Sequence, residues 1–169
     1  HAQALAARER AIALAPGDAE LRLAQSRSYA ALGRWQDSGN AAREAHKLAP
    51  KNVDALLLAA EAAHRQGKNG EAIQTLKRAL ELQPDSYEVN FKLGRSLADT
   101  NLYDEALTYL ERAGRLDEKA DAPHLLTAEV HLERRAFDAA STAFATSAAP
   151  DNGASASTSP VAGFRTGIA

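Results

Sequence analysis

Four charged residues recur at a constant step of 34 along the chain: Arg27, Glu61, Arg95 and Glu129, alternating in sign. Such a row can pair within itself, or it can fix the register of a ligand laid across it. His124 and His131 are the other candidates for chemistry. On one helix they share a face, but at 1.5 Å per residue they lie about 10 Å apart, too far for one metal ion without a third element. "GKNG" at Gly67–Gly70 has no strand before it and no Lys-Ser/Thr after it, so it reads as a turn rather than a phosphate loop. No serine stands in a nucleophile-elbow context. The pairs Lys77–Arg78 and Arg134–Arg135 read as solvated faces and turns, and His64 as a solvated histidine near a groove. Nothing in this set assembles a catalytic centre, a metal site or a cofactor site.

Composition narrows the classes further. The 169 residues carry 20 basic and 22 acidic side chains, a formal net charge of −2. That balance argues against a broad basic surface for nucleic acid or anionic lipid. No apolar run approaches the length of a membrane span. Cysteine is absent, which excludes disulfides and thiolate metal sites but leaves the compartment open. Methionine is absent too, so His1 is no initiation site and the chain is expected to derive from something longer. Alanine occurs 39 times. It is the best helix former, and its size lets helices approach closely.

The charged row must therefore be placed by a repeating helical scaffold. Prolines fall at 16, 50 and 84, again at a step of 34, and the same step links Leu14, Leu48, Leu82 and Leu116. It also links Ala72, Ala106 and Ala140, with Ser38 in the earlier slot. Several residue types in one phase signal an internal repeat. Within each unit the apolar spacing predicts two helices. The first runs over Ala19–Leu32, Val53–Gln66, Tyr87–Thr100 and Asp121–Arg134. It opens after Asp18, Asn52 or Ser86, good N-caps, and closes at Gly33, Gly67 or Asn101, which tolerate a left-handed backbone. The fourth unit has Arg135 there, so its turn is expected to be the most strained or differently built. The second helix runs over Ser38–Leu48, Ala72–Leu82, Ala106–Leu116 and Ala140–Ala149, and proline stops it.

This grammar resembles the tetratricopeptide repeat, a 34-residue helix–turn–helix. Val53–Ser86 matches best, at Leu56, Ala60, Gly67, Ala72, Leu76, Ala79 and Pro84. The next unit keeps Leu93, Gly94, Tyr103, Ala106, Leu110 and Ala113 but has Glu118 where proline is usual; the first keeps Tyr29, Gly33, Trp35, Ala45 and Pro50. The fourth is the most divergent, retaining Phe137, Ala140 and Phe144 with its proline at Pro150. The resemblance implies an all-α fold, a right-handed α-solenoid of antiparallel helix pairs. Its divisions are 1–18 (second helix of an incomplete repeat), 19–52, 53–86, 87–120, 121–150 (divergent) and a flexible tail or linker at 151–169. The first helix of the incomplete repeat would precede His1, leaving Leu5 and Ile12 without a complete neighbour. By its slot His131 replaces a commonly packed aromatic and is expected to pack, while Trp35, Tyr103 and Phe137 are expected to pack between repeats.

In this family the first helices line the concave face, which implies a peptide-binding groove. Its rows here are Leu23, Leu57, Phe91 and Leu125; Arg27, Glu61, Arg95 and Glu129; and Ala24, Leu58, Lys92 and Leu126. Either the leucines pack between helices and the charges pair across repeats, or the rows make a groove with an apolar floor and charged register marks. The candidate site residues are Leu23, Arg27, Leu57, Leu58, Glu61, Phe91, Lys92, Arg95, Leu126 and Glu129. The carboxylate clamp for chaperone C-termini is absent, since Leu23, Arg27, Leu58, Glu88 and Lys92 stand in its positions. The asparagine ladder of repeat-bearing sugar transferases is absent too, its slot holding Ala24, Leu58, Lys92 and Leu126. The implied function is a non-enzymatic protein–protein interaction scaffold for a peptide or subunit, without cofactor, nucleic acid or membrane span. An assembly factor of a bacterial envelope, pilus or secretion complex in the periplasm is the narrower expectation. A recruiting arm of a larger enzyme and a dimerisation module using the end helices are the alternatives.

Overall fold

The computed structural model describes residues 8 and 10–148, with side-chain surroundings through residue 138. A helical segment at 10–14 is followed by α1 (Ala19–Ala31), α2 (Trp35–Leu48), α3 (Val53–Arg65) and α4 (Asn69–Leu82). Then come α5 (Tyr87–Ala98), α6 (Tyr103–Leu116) and α7 (Asp121–Ala148). Among the described residues there is no strand. Each of these helices packs on the next in chain order, and α1 also touches α3 as α5 touches α7. This is an α-solenoid of antiparallel pairs. The expected tail at 151–169 lies outside the described residues.

Local chemistry sets each boundary. Asp18 Oδ1 accepts from the amides of Glu20 and Leu21 at 2.8 and 3.1 Å. Asn52 Oδ1 and Ser86 Oγ cap α3 and α5 from the amides of Ala55 and Val89. The first helices end where Gly33, Gly67 and Asn101 take φ of +71°, +73° and +61°. There the amides of Arg34, Lys68 and Leu102 reach back to the carbonyls of Tyr29, Ala63 and Leu97 at 2.9, 2.9 and 3.0 Å. This Schellman closure satisfies carbonyls that the helix end would orphan. The chain re-enters a helix at once, so α2, α4 and α6 begin at Trp35, Asn69 and Tyr103, earlier than the expected Ser38, Ala72 and Ala106.

The second helices stop at Leu48, Leu82 and Leu116. Pro50 and Pro84 enforce the first two stops. At the third, where Glu118 replaces proline, Asp117 Oδ1 accepts from the Lys119 amide at 3.1 Å. That local turn does the work of the missing ring.

Helices within a pair meet at small residues. Ala60, Ala72, Gly94 and Ala106 are all buried. In the first pair Ser26 and Ser38 take these places, and Ser26 Oγ lies 2.9 Å from the Ser38 carbonyl and 3.1 Å from its hydroxyl. A hydrogen bond thus replaces the apolar contact, which leaves the buried hydroxyls satisfied. One core cluster runs continuously from Val53 through Leu76, Leu93, Leu97 and Leu110 to Val130, and a smaller one joins Leu23, Ala45 and Ala55.

Three sequence expectations fail at the ends. The fourth unit does not form the pair Asp121–Arg134 and Ala140–Ala149: α7 is one helix of 28 residues. Arg135 stands where the other units place Gly or Asn at positive φ, a conformation costly for other side chains, so the helix continues. His131 is consequently exposed rather than packed, because among the described residues no second helix folds back over it. At the other end Ile12 is buried, not left uncovered, and Leu5 lies outside the described residues. Arg8 Nη1 donates to Ser28 Oγ at 2.6 Å, which ties the preceding segment to α1.

Two glycines in regular helix separate packing from propensity. A β-carbon on Gly94 would stand 2.8 and 2.9 Å from Leu110 and 3.2 Å from the Ala106 carbonyl. Gly94→Ala is therefore expected to destabilise the fold by about 1–3 kcal/mol in urea unfolding. A β-carbon on Gly70 meets nothing within 4 Å. Gly70→Ala should stabilise by about 0.5–1 kcal/mol in the same experiment.

Candidate functional site

The first helices α1, α3 and α5 stand side by side, so their like-numbered positions form rows across the repeats. The leucine row is mostly interior. Leu23 and Leu57 are 1% and 8% exposed, whereas Leu125 on α7 is 70% exposed. Phe91 is half-buried, packs on the core and stacks on Tyr87 with ring centroids 5.8 Å apart. Leu58 and Leu126 are half-buried against the two core clusters. The apolar row therefore packs on α1 and α3, and its open surface comes from Phe91 and Leu125, with Leu58 and Leu126 of the neighbouring row beside it.

The charges do pair across repeats, but not within their own row. Arg27 Nη2 donates to Asp54 Oδ2 at 2.8 Å, joining α1 to α3. Lys92 Nζ donates to Glu61 Oε2 at 2.8 Å, joining α5 to α3, and Arg65 Nε donates to Glu61 Oε1 at 2.8 Å. Arg95 Nη2 lies 2.9 Å from His64 Nε2. Guanidinium can only donate, so Nε2 accepts and the imidazole proton belongs on Nδ1. There it faces Asp99 Oδ2 and Asn69 Oδ1, each at 3.3 Å. His64 is thus a half-buried network member, not a solvated side chain, and Arg95 is half-buried as well. Glu129 on α7 is exposed.

Glu61 is the electrostatic centre of this face. Burial pushes its carboxyl upward, but the hydrogen bonds and charges of Lys92 and Arg65 together outweigh burial and hold it at about 2. It stays ionised through the physiological range.

Two openings follow the seam. One, of about 170 Å³, is lined by Arg27, Asp54, Leu57, Leu58 and Glu88, and so draws on α1, α3 and α5. The other is a niche beside Glu61, His64, Lys92 and Arg95. Of the candidate residues, the structure thus brings Arg27, Leu57 and Leu58 together at one opening, and Glu61, Lys92 and Arg95 at the next. Leu23 opens on neither, and Leu126 and Glu129 lie farther along on α7.

Sequence reasoning missed Asp54, Asp99 and Tyr87, and placed His64 near the groove but as a solvated side chain. Tyr87 and Phe91 share a helical face at i,i+4, a legible signal. The Arg27–Asp54 contact joins residues that are out of register in the repeat, and no periodicity marks it. A separate groove of about 170 Å³ lies between second helices, lined in part by Arg43, His46, Glu71 and Arg78.

Among the described residues no cluster of three His, Cys, Asp or Glu side chains could hold a metal ion. No helix of these residues is long and apolar enough to cross a membrane.

Two overlapping family models, each described as tetratricopeptide repeat, match residues 23–87 and 63–122. Among curated proteins, the mouse (Mus musculus) protein O-mannosyl-transferase TMTC1 is 28% identical over 110 residues, which is 63% of this chain and 12% of that protein. Among solved structures, MamA 41-end from Desulfovibrio magneticus RS-1 superposes with a TM-score of 0.75 at 16% identity, covering 85% of this chain and 81% of the other. YrrB, a repeat protein with an unusual peptide-binding site, gives 0.69 at 20% identity over 79% and 69%. The first repeat domain of RPAP3 bound to an HSP90 peptide gives 0.68 at 15% identity over 69% and 93%. At these identities the structures share the fold.

The depressed carboxyl makes stability depend on pH. Its folded value of about 2 lies below the ordinary 4.5, so its contribution is complete above about pH 4.5 and disappears as pH falls through 2. Glu61→Gln should therefore lower stability by about 1–3 kcal/mol at pH 7. The gap between the two proteins should close toward pH 2, as read by urea unfolding across the range.

Proposed function

The chain belongs to the tetratricopeptide repeat family, and from that premise we propose that it is a non-enzymatic scaffold binding an extended peptide or subunit segment along its first-helix face. The observation that carries this reading is that the first helices carry two openings lined by candidate residues. One is lined by Arg27, Asp54, Leu57, Leu58 and Glu88, the other in part by Glu61, His64, Lys92 and Arg95. A segment crossing several repeats gains apolar contact at Phe91 and Leu58. Arg27, Glu61 and Lys92 offer it charged hydrogen bonds of both signs, which would fix its register. The peptide-bound relative and the relative with a peptide-binding site support a ligand of this class. The acidic C-terminal ligand does not carry over, because Leu23 and Leu58 occupy clamp positions here.

The narrower reading is an assembly factor of a bacterial envelope, pilus or secretion complex, acting in the periplasm. The alanine- and arginine-rich composition supports it, and fractionation of source cells tests it. A second reading, a recruiting arm of a larger enzyme, draws support from the likeness to 12% of the length of a mouse transferase.

The binding test is selection of peptides from a random display library, followed by titration of the best sequence. Phe91→Ala and Arg27→Glu should each weaken that peptide by about tenfold or more, since aromatic and arginine side chains dominate interface energies. Arg78→Glu, on the second-helix groove, should leave affinity unchanged. Affinity that follows Arg78 and ignores Phe91 and Arg27 would move the site to the second helices.

A further inference from the structure

Ion pairs tie the second helices together at positions that follow the repeat. Arg43 on α2 meets Glu71 on α4 at 2.9 Å, and one repeat later Lys77 on α4 stands 3.8 Å from Glu105 on α6. A second set joins a second helix to the turn before its own unit. Arg112 on α6 reaches Asp85, between α4 and α5, at 2.9 Å. One repeat earlier the same two slots hold Arg78 and Lys51. A cation stands in the acid's slot, so this rung cannot close. Both side chains are exposed, and among the described residues neither has an ion pair or a hydrogen bond.

The open rung borders the groove of about 170 Å³ between the second helices. Leu56 and Ala59 of α3 give this groove apolar lining, and the Arg43–Glu71 pair closes one side of it. Arg78 lines it without a counterion. His46 lines it too, and its Nδ1 is buried with no hydrogen-bond partner among the described residues. Glu71 is already committed to Arg43, so the groove keeps a surplus of positive charge beside an apolar surface. Charge complementarity selects an anion with hydrocarbon behind its charge. A glutamate side chain has that form: its methylenes suit Leu56 and Ala59, and its carboxylate suits the planar fork of Arg78. A free phosphate offers no hydrocarbon to the apolar lining.

We propose that this groove is a second docking surface, which takes a glutamate flanked by apolar residues from an extended segment of a partner protein. The partner's carboxylate supplies to Arg78 the acid that Asp85 supplies to Arg112. Charge-assisted hydrogen bonds to a guanidinium are directional, so the contact fixes orientation as well as adding attraction. The site lies on the second helices and does not depend on what the first-helix face binds.

Backbone NMR of the isotope-labelled 169-residue chain tests this, with the blocked peptides Ala-Leu-Glu-Leu-Ala and Ala-Leu-Gln-Leu-Ala as probes. The glutamate peptide should shift the amides around Gln74, Thr75 and Arg78. At low salt it should bind about threefold tighter than its glutamine isostere, and the difference should narrow as salt is raised. Arg78→Gln removes the cation and should erase the difference. Lys51→Asp rebuilds the rung seen at Arg112 and should erase it as well, with helical content unchanged by circular dichroism. Equal binding of the two peptides, or shifts confined to α1, α3 and α5, overturns the proposal. So does a glutamate preference that survives in either variant, or inorganic phosphate that shifts the same amides as strongly at equal ionic strength. Because the readout is the second-helix amides, its failure is separate from failure of the first-helix reading.

Discussion

The sign of one backbone angle governs this architecture. Within each pair the first helix reverses where the residue after its last turn takes a positive φ, as Gly33, Gly67 and Asn101 do. Each reversal brings a second helix back over the first and creates a small-residue contact. Where Arg135 replaces such a residue, the reversal is lost and α7 runs straight for 28 residues. The difference between a closed pair and one continuous helix thus follows the residue at one position in 34: Gly or Asn, which tolerate the left-handed backbone, against Arg135.

Close approach and charge divide the remaining work. Ala72, Ala106 and Gly94 let backbones approach within each pair, where dispersion and burial act over short distances. Between pairs, exposed and half-buried ion pairs such as Arg27–Asp54 and Lys92–Glu61 set the register of one first helix against the next. Exposed pairs contribute little to stability. Glu61 differs because it is half-buried and holds two cations at once, which is why its carboxyl is depressed so far. A face whose charges are already committed to neighbouring repeats is preorganised for a ligand, since fewer side chains need ordering on binding.

Reading the rows from sequence placed them on the first helices but misjudged how individual side chains are engaged. Leu23 and Leu57 share a row with Phe91, yet only Phe91 retains substantial open surface. The identity of a row follows from period, whereas exposure depends on how far the next first helix leans over it. His64 illustrates the same limit. Its environment joins Asn69 of α4 with Arg95 and Asp99 from the following repeat, and no periodic slot relates those residues.

The sequence by itself determined the repeat length, the caps, the turns and the small-residue contacts, because each depends on residues close in the chain or a fixed step apart. Asp18, Asn52, Gly67 and Pro84 act through local backbone geometry that no tertiary neighbour can reverse cheaply. Tertiary structure alone decided the pairing of Arg27 with Asp54, the engagement of His64 with Arg95 and the burial of Ile12. Those outcomes depend on the offset and lean of one helix pair against the next, a sum of many weak packing terms. Arg135 stands between the two cases: its misfit with a left-handed turn was legible locally, but that the chain would answer with a straight helix rather than a strained turn was settled only by the fold.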